Sequence, residues 1–73
     1  MDDLREREHL VLAERHIAEA KAHIARQKEV IAELERGGHE TDLAVGMLRA
    51  LERCLQGFER HRALILKQLK DSL

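Results

Sequence analysis

Large aliphatic residues recur every seven positions through the first half of the chain, at Leu10, Ile17, Ile24 and Ile31. Ala13, Ala20 and Leu34 fill the companion positions three residues later, and Gln27 is the one exception. Alternating steps of three and four are the period of a helix that lays one face on a partner. Beside this seam runs a second row, Val11, Ala18, Ala25 and Ala32, which widens the apolar face with small side chains. The second half repeats the scheme with Ala44, Leu48, Leu51, Leu55, Phe58, Ile65 and Leu69, broken at Arg62. It too has a neighbouring row, Gly46, Ala50, Cys54, Gly57 and His61, bordered by Leu43, Met47 and Leu64.

The pattern is interrupted at one place, Gly37-Gly38-His39, and the chain has no proline. Gly37 stands where a helix ends on a left-handed residue, and Gly38 adds freedom for the reversal. His39, Thr41 or Asp42 is positioned to cap the next helix, and Glu40 and Asp42 suit its N-terminal dipole. The spacing predicts one unit over residues 1–73, with helices at about 3–36 and 41–71 and a turn at 37–40. So short a turn sends the second helix back along the first. The expected fold is all-α: an antiparallel, coiled-coil-like helical hairpin.

A hairpin needs one apolar seam per helix, yet each helix here carries nearly a half-cylinder. A pair of helices this small also buries little apolar area to set against its chain entropy. Glycine inside a helix costs about 1 kcal/mol relative to alanine, so Gly46 and Gly57 suggest a stripe that another helix approaches closely. The expectation is that two hairpins pair into a four-helix bundle. Its cores would be Leu10, Ile17, Ile24, Ile31, Leu34, Leu48, Leu51, Leu55, Phe58, Ile65 and Leu69. The interface between copies would use Gly46, Met47, Ala50, Cys54, Gly57 and Leu64.

Composition narrows the function classes. Charged residues are 37% and hydrophobic residues 44% of the 73, too apolar for a disordered tail and too charged for a membrane span. One cysteine makes no internal disulfide, and the chain reads as soluble and cytoplasmic. Membrane-surface helices carry aromatic residues on one face and a strongly basic opposite face, whereas acids and bases here interleave, as with Arg26, Lys28, Glu29 and Glu33. From Arg49 to Lys70 the second helix is mildly basic, but Phe58 is the only aromatic residue and the net charge is -1, which argues against nucleic acid.

The remaining chemistry lies in five histidines and Cys54. His9, His16 and His23 repeat every seven residues, a spacing of about 10.5 Å that no single metal ion bridges. If the turn centres near Gly38, His16 faces His61 and His23 faces Cys54, with Glu19 between the two histidines of the first helix. Two histidines with a cysteine or carboxylate are competent zinc ligands. No compact zinc signature is present, however, and flank histidines ordinarily cover apolar surface while reaching water. Protonating all five would move the formal charge from -1 to +4, so a pH switch is a further reading. No catalytic constellation or cofactor motif emerges.

The segments His16-Ile17-Ala18-Glu19, Ile24-Ala25-Arg26-Gln27, Ile31-Ala32-Glu33-Leu34, Gly38-His39-Glu40-Thr41 and Leu48 to Leu55 resemble a group of small, uncharacterised alphaproteobacterial proteins. The similarity runs from about Leu10 to Leu69 and is most specific at the turn. It implies a bacterial, cytoplasmic helical hairpin, lends weight to His39 and Thr41 as turn and cap residues, and carries no activity. The leading expectation is therefore a non-enzymatic homodimer acting in protein–protein interaction. The alternatives are an adaptor or inhibitor that completes its core on a helix of another protein, and a metal module of His16, His23, Cys54 and His61.

Overall fold

The structure, a computed structural model, describes residues 2–72 as two α-helices, α1 (Asp2–Arg36) and α2 (Asp42–Asp71). They pack side by side in opposite directions, giving a rod of 56 × 14 × 12 Å. The helices form where Ala, Glu, Arg and Leu, all strong helix formers, run uninterrupted by proline. Both begin within a residue of the expected boundaries.

The reversal is built differently from the expectation at one residue. Gly38, not Gly37, takes the left-handed conformation, at φ 74°. Gly37 continues the last helical turn, its N–H donating to the Glu33 carbonyl at 3.1 Å. Gly38 N–H then donates to Glu35 at 3.1 Å and His39 N–H to Leu34 at 2.9 Å, a nested pair that closes the orphan carbonyls of α1. The His39 ring folds back over Gly37, where an added Cβ would lie 2.8 Å from its Cδ2. Thr41 holds the N-cap position of α2, but its hydroxyl makes no capping bond. Instead the Thr41 carbonyl accepts from Val45 at 2.8 Å, and Asp42 supplies the negative charge in the first turn.

The core is narrow. The buried hydrophobic residues are Ala13, Ala20, Ile24, Ala44 and Ile65. Of the eleven expected core residues, Ile24 and Ile65 reach full burial; the other nine remain half-buried. The reason is geometric: two helices meet along one line, so a large side chain on the seam keeps a flank open to water. Ile65 lies deepest at 2% exposure, and the alanines Ala13, Ala20 and Ala44 are buried with it because their short side chains leave no flank uncovered.

Both interruptions of the heptads serve this pairing. Gln27 donates its side-chain amide to the Ala44 carbonyl at 2.9 Å, across the helix pair. Arg62 reaches back to Glu14, Nε to Oε2 at 3.5 Å. A polar group on a coiled-coil seam costs apolar burial but selects one register, because its partner exists at only one offset.

Candidate functional site

That register moves the histidines from where sequence spacing put them. His16 meets the ring of Phe58, centroids 5.3 Å apart, one helical turn short of His61. The five-residue connection, 37–41, thus returns α2 level with an earlier part of α1 than a tight turn centred on Gly38 would give. Gln27, which reaches Ala44, is displaced in the same direction.

Two open grooves flank the seam. One is lined by Glu14, Ile17, Ala18, Lys21, Glu59 and Arg62, a charged cleft bridged by the Arg62–Glu14 pair. The other is lined by His16, Glu19, Ala20, His23, Leu51, Cys54 and Phe58. His16, His23 and Cys54, three of the four candidate ligands, thus share a groove, while His61 does not line it. Among the described residues, no three His, Cys, Asp or Glu side chains gather closely enough to hold a metal ion. The Cys54 thiol is exposed. Both grooves are open to solvent along their length. His9 turns instead to its own helix, Nδ1 lying 3.8 Å from the Glu6 carboxylate. One i,i+3 pair of the expected helix support is present on α1, Arg26 to Glu29 at 3.4 Å, and Arg26 also lies 4.0 Å from Glu33, two turns on.

The surface most at odds with water is the outer face of α2. Leu43 is 82% exposed, Leu64 61% and Met47 53%, with exposed Ala50 and Cys54 and half-buried Gly57 between them. Among the described residues little covers the glycines: a Cβ on Gly46 would meet no atom within 4 Å, and one on Gly57 only Arg60 Nη2 at 3.9 Å. The close approach expected at this stripe is therefore not made by α1. A second set of exposed apolar side chains lies on α1, where Leu4, Val11 and Leu12 are 66%, 64% and 47% exposed. No helix among the described residues is long and apolar enough to cross a membrane.

Two features escaped the sequence reading. Gln27 and Arg62 stood out only as gaps in a pattern, because their partners become identifiable once the helix offset is known. On the outer face of α2, Leu43, Met47, Ala50, Cys54, Gly57, His61 and Leu64 form one unbroken series of alternating four- and three-residue steps. Its spacing was visible as a second complete heptad seam rather than a row with borders. No protein-family model, curated protein or solved structure matches this chain.

Proposed function

We propose that the chain is a non-enzymatic protein–protein interaction module of the cytoplasm that works by pairing with itself, two hairpins forming a four-helix bundle. One observation carries this reading: the hairpin exposes more surface than a stand-alone protein of its mass. A folded monomer of 8.4 kDa has roughly 4,600 Å² of accessible surface. This hairpin has 5882 Å². The excess of about 1,300 Å² is larger than the roughly 800 Å² that each partner gives to a standard interface. The exposed surface includes large apolar side chains, Leu43, Met47 and Leu64 on α2 and Leu4 and Val11 on α1. Burying such side chains is favourable by about 1.5–3 kcal/mol each when complete, and the described hairpin leaves them exposed.

The test is solution mass by light scattering after size exclusion, over a concentration series. Self-association gives twice 8.4 kDa or more, with cooperative melting that rises with concentration. A constant 8.4 kDa rejects it and leaves the same faces to a helix of another protein, in the manner of an adaptor or inhibitor. Replacing Gly46 and Gly57 with Leu checks the residues: association weakens if the glycine stripe lies in the interface and is unaffected if it does not.

A further inference from the structure

The outer seam of α2 has an order that limits how a second copy can sit on it. Its members run Leu43, Met47, Ala50, Cys54, Gly57, His61, Leu64. Read from either end, the series starts large, narrows to small residues in the middle and ends large. Laid antiparallel on itself, it sets Leu43 against Leu64, Met47 against His61 and Ala50 against Gly57, and Cys54 falls on the axis. Bulky ends and a slim waist suit two helices that approach most closely at their midpoint, since the helix separation at a crossing follows side-chain size. An isologous pair needs a patch complementary to itself, and this series is one.

We propose that this seam is the dimer surface, and that it binds the same seam of a second copy, antiparallel, about a twofold axis at Cys54. The inference rests on the self-association reading and adds the face, the direction and the centre. The hairpin's register supports the choice. The groove that contains Cys54 also contains Ala20, flanked on α1 by Glu19 and His23. A twofold axis at Cys54 therefore passes beside Ala20 and sets α1 antiparallel to α1 of the second copy. Glu19 of each chain then comes within a helical turn of His23 of the other, so an acid meets an imidazole on both sides of the axis. Half-buried Leu51 and Phe58, which line the same groove, close over in the bundle interior. The exposed large apolar side chains of this face are Leu43, Met47 and Leu64.

Cross-linking with a copper–phenanthroline oxidant reads the geometry directly, two thiols giving a disulfide as their two electrons pass to the oxidant. The native chain should form a Cys54–Cys54 dimer rapidly, because disulfide formation needs Cα atoms within about 7 Å. In a Cys54→Ala background, Leu43→Cys and Leu64→Cys chains should each stay uncross-linked alone and couple when mixed. In the proposed pair each position lies roughly 30 Å from its own copy and beside the other. Ala50→Arg should return the mass to that of one chain with helicity retained, whereas Val11→Glu should leave the dimer intact. A dimeric mass with Leu43→Cys coupling to itself overturns the antiparallel arrangement. A dimeric mass that survives Ala50→Arg and is lost with Val11→Glu moves the interface to α1 and overturns the seam, while self-association stands. A native mass of 8.4 kDa overturns both.

Discussion

The Gln27 bond to the Ala44 carbonyl, at 2.9 Å between helices, offers a direct test of the pairing register. Gln27→Glu keeps the side chain's size and shape but replaces a donor with a carboxylate that only accepts at neutral pH. The native contact then sets two oxygens against each other, and the carboxylate must turn to water. Losing a neutral hydrogen bond costs about 0.5–1.5 kcal/mol, and the misplaced acceptor brings the total to about 1–2 kcal/mol. For a chain of 73 residues the unfolding entropy is about 0.15 kcal/mol/K, so the melting temperature should fall by roughly 7–13 °C. The assay is thermal melting by circular dichroism at pH 7 and one fixed protein concentration, because a pairing protein melts higher when concentrated. Gln27→Leu is the informative companion, since it trades the bond for apolar burial and should melt well above Gln27→Glu. The register is refuted if Gln27→Glu melts with the native chain.

Ile65 is 2% exposed and Val11 64% exposed, so Ile65→Ala should cost about 2–5 kcal/mol and Val11→Ala close to nothing in a denaturant titration. Equal effects would mean that the core is misplaced. Gly38→Ala forces a side chain into the left-handed conformation at φ 74° and should cost about 1 kcal/mol. Gly37→Ala asks only that the His39 ring swing aside, so melting should drop clearly less for Gly37→Ala than for Gly38→Ala. Glu14→Gln removes an ion pair whose two side chains are 41% and 52% exposed, and its effect should stay below about 1 kcal/mol and shrink further in salt. Zinc added in small excess should leave melting unchanged, since the described residues hold no three-ligand group; a rise of several degrees would put an ion among His16, His23 and Cys54.

The two helices and their antiparallel order are legible in the sequence because both signals are local. Leu10, Ile17, Ile24 and Ile31 mark one face by spacing alone, and a glycine pair in a chain without proline marks the only stop. The offset between the helices is not local. It depends on which glycine turns left-handed and how far residues 37–41 carry the chain back, and those choices differ by small energies at each residue. A pairing centre near Gly38 sets His16 against His61, whereas the ring it meets is Phe58. Every cross-helix statement inherits such an offset, which is why the His and Cys cluster was the least readable part.

The same reasoning explains why Gln27 and Arg62 sit where an aliphatic residue would bury more area. A seam of Leu, Ile and Ala alone is nearly indifferent to sliding by one heptad, because each residue then meets another of its kind. Gln27 finds the Ala44 carbonyl, and Arg62 finds Glu14, at one offset only. The two contacts are well separated along the rod, and both favour the same pairing of α2 with α1. A fixed offset has a consequence on the outside of the hairpin, where the seam from Leu43 to Leu64 must present its small waist beside Ala20 and Glu19 for two copies to fit. Were α2 free to slip by one turn, that face would still be apolar but would no longer be level with the same part of α1. Gln27→Leu should therefore melt higher than Gln27→Glu yet dimerise less selectively, forming Cys54–Cys54 cross-links more slowly than the native chain at equal concentration. Cross-linking at the native rate would show that the dimer surface needs only α2, with no contribution from the register of the hairpin.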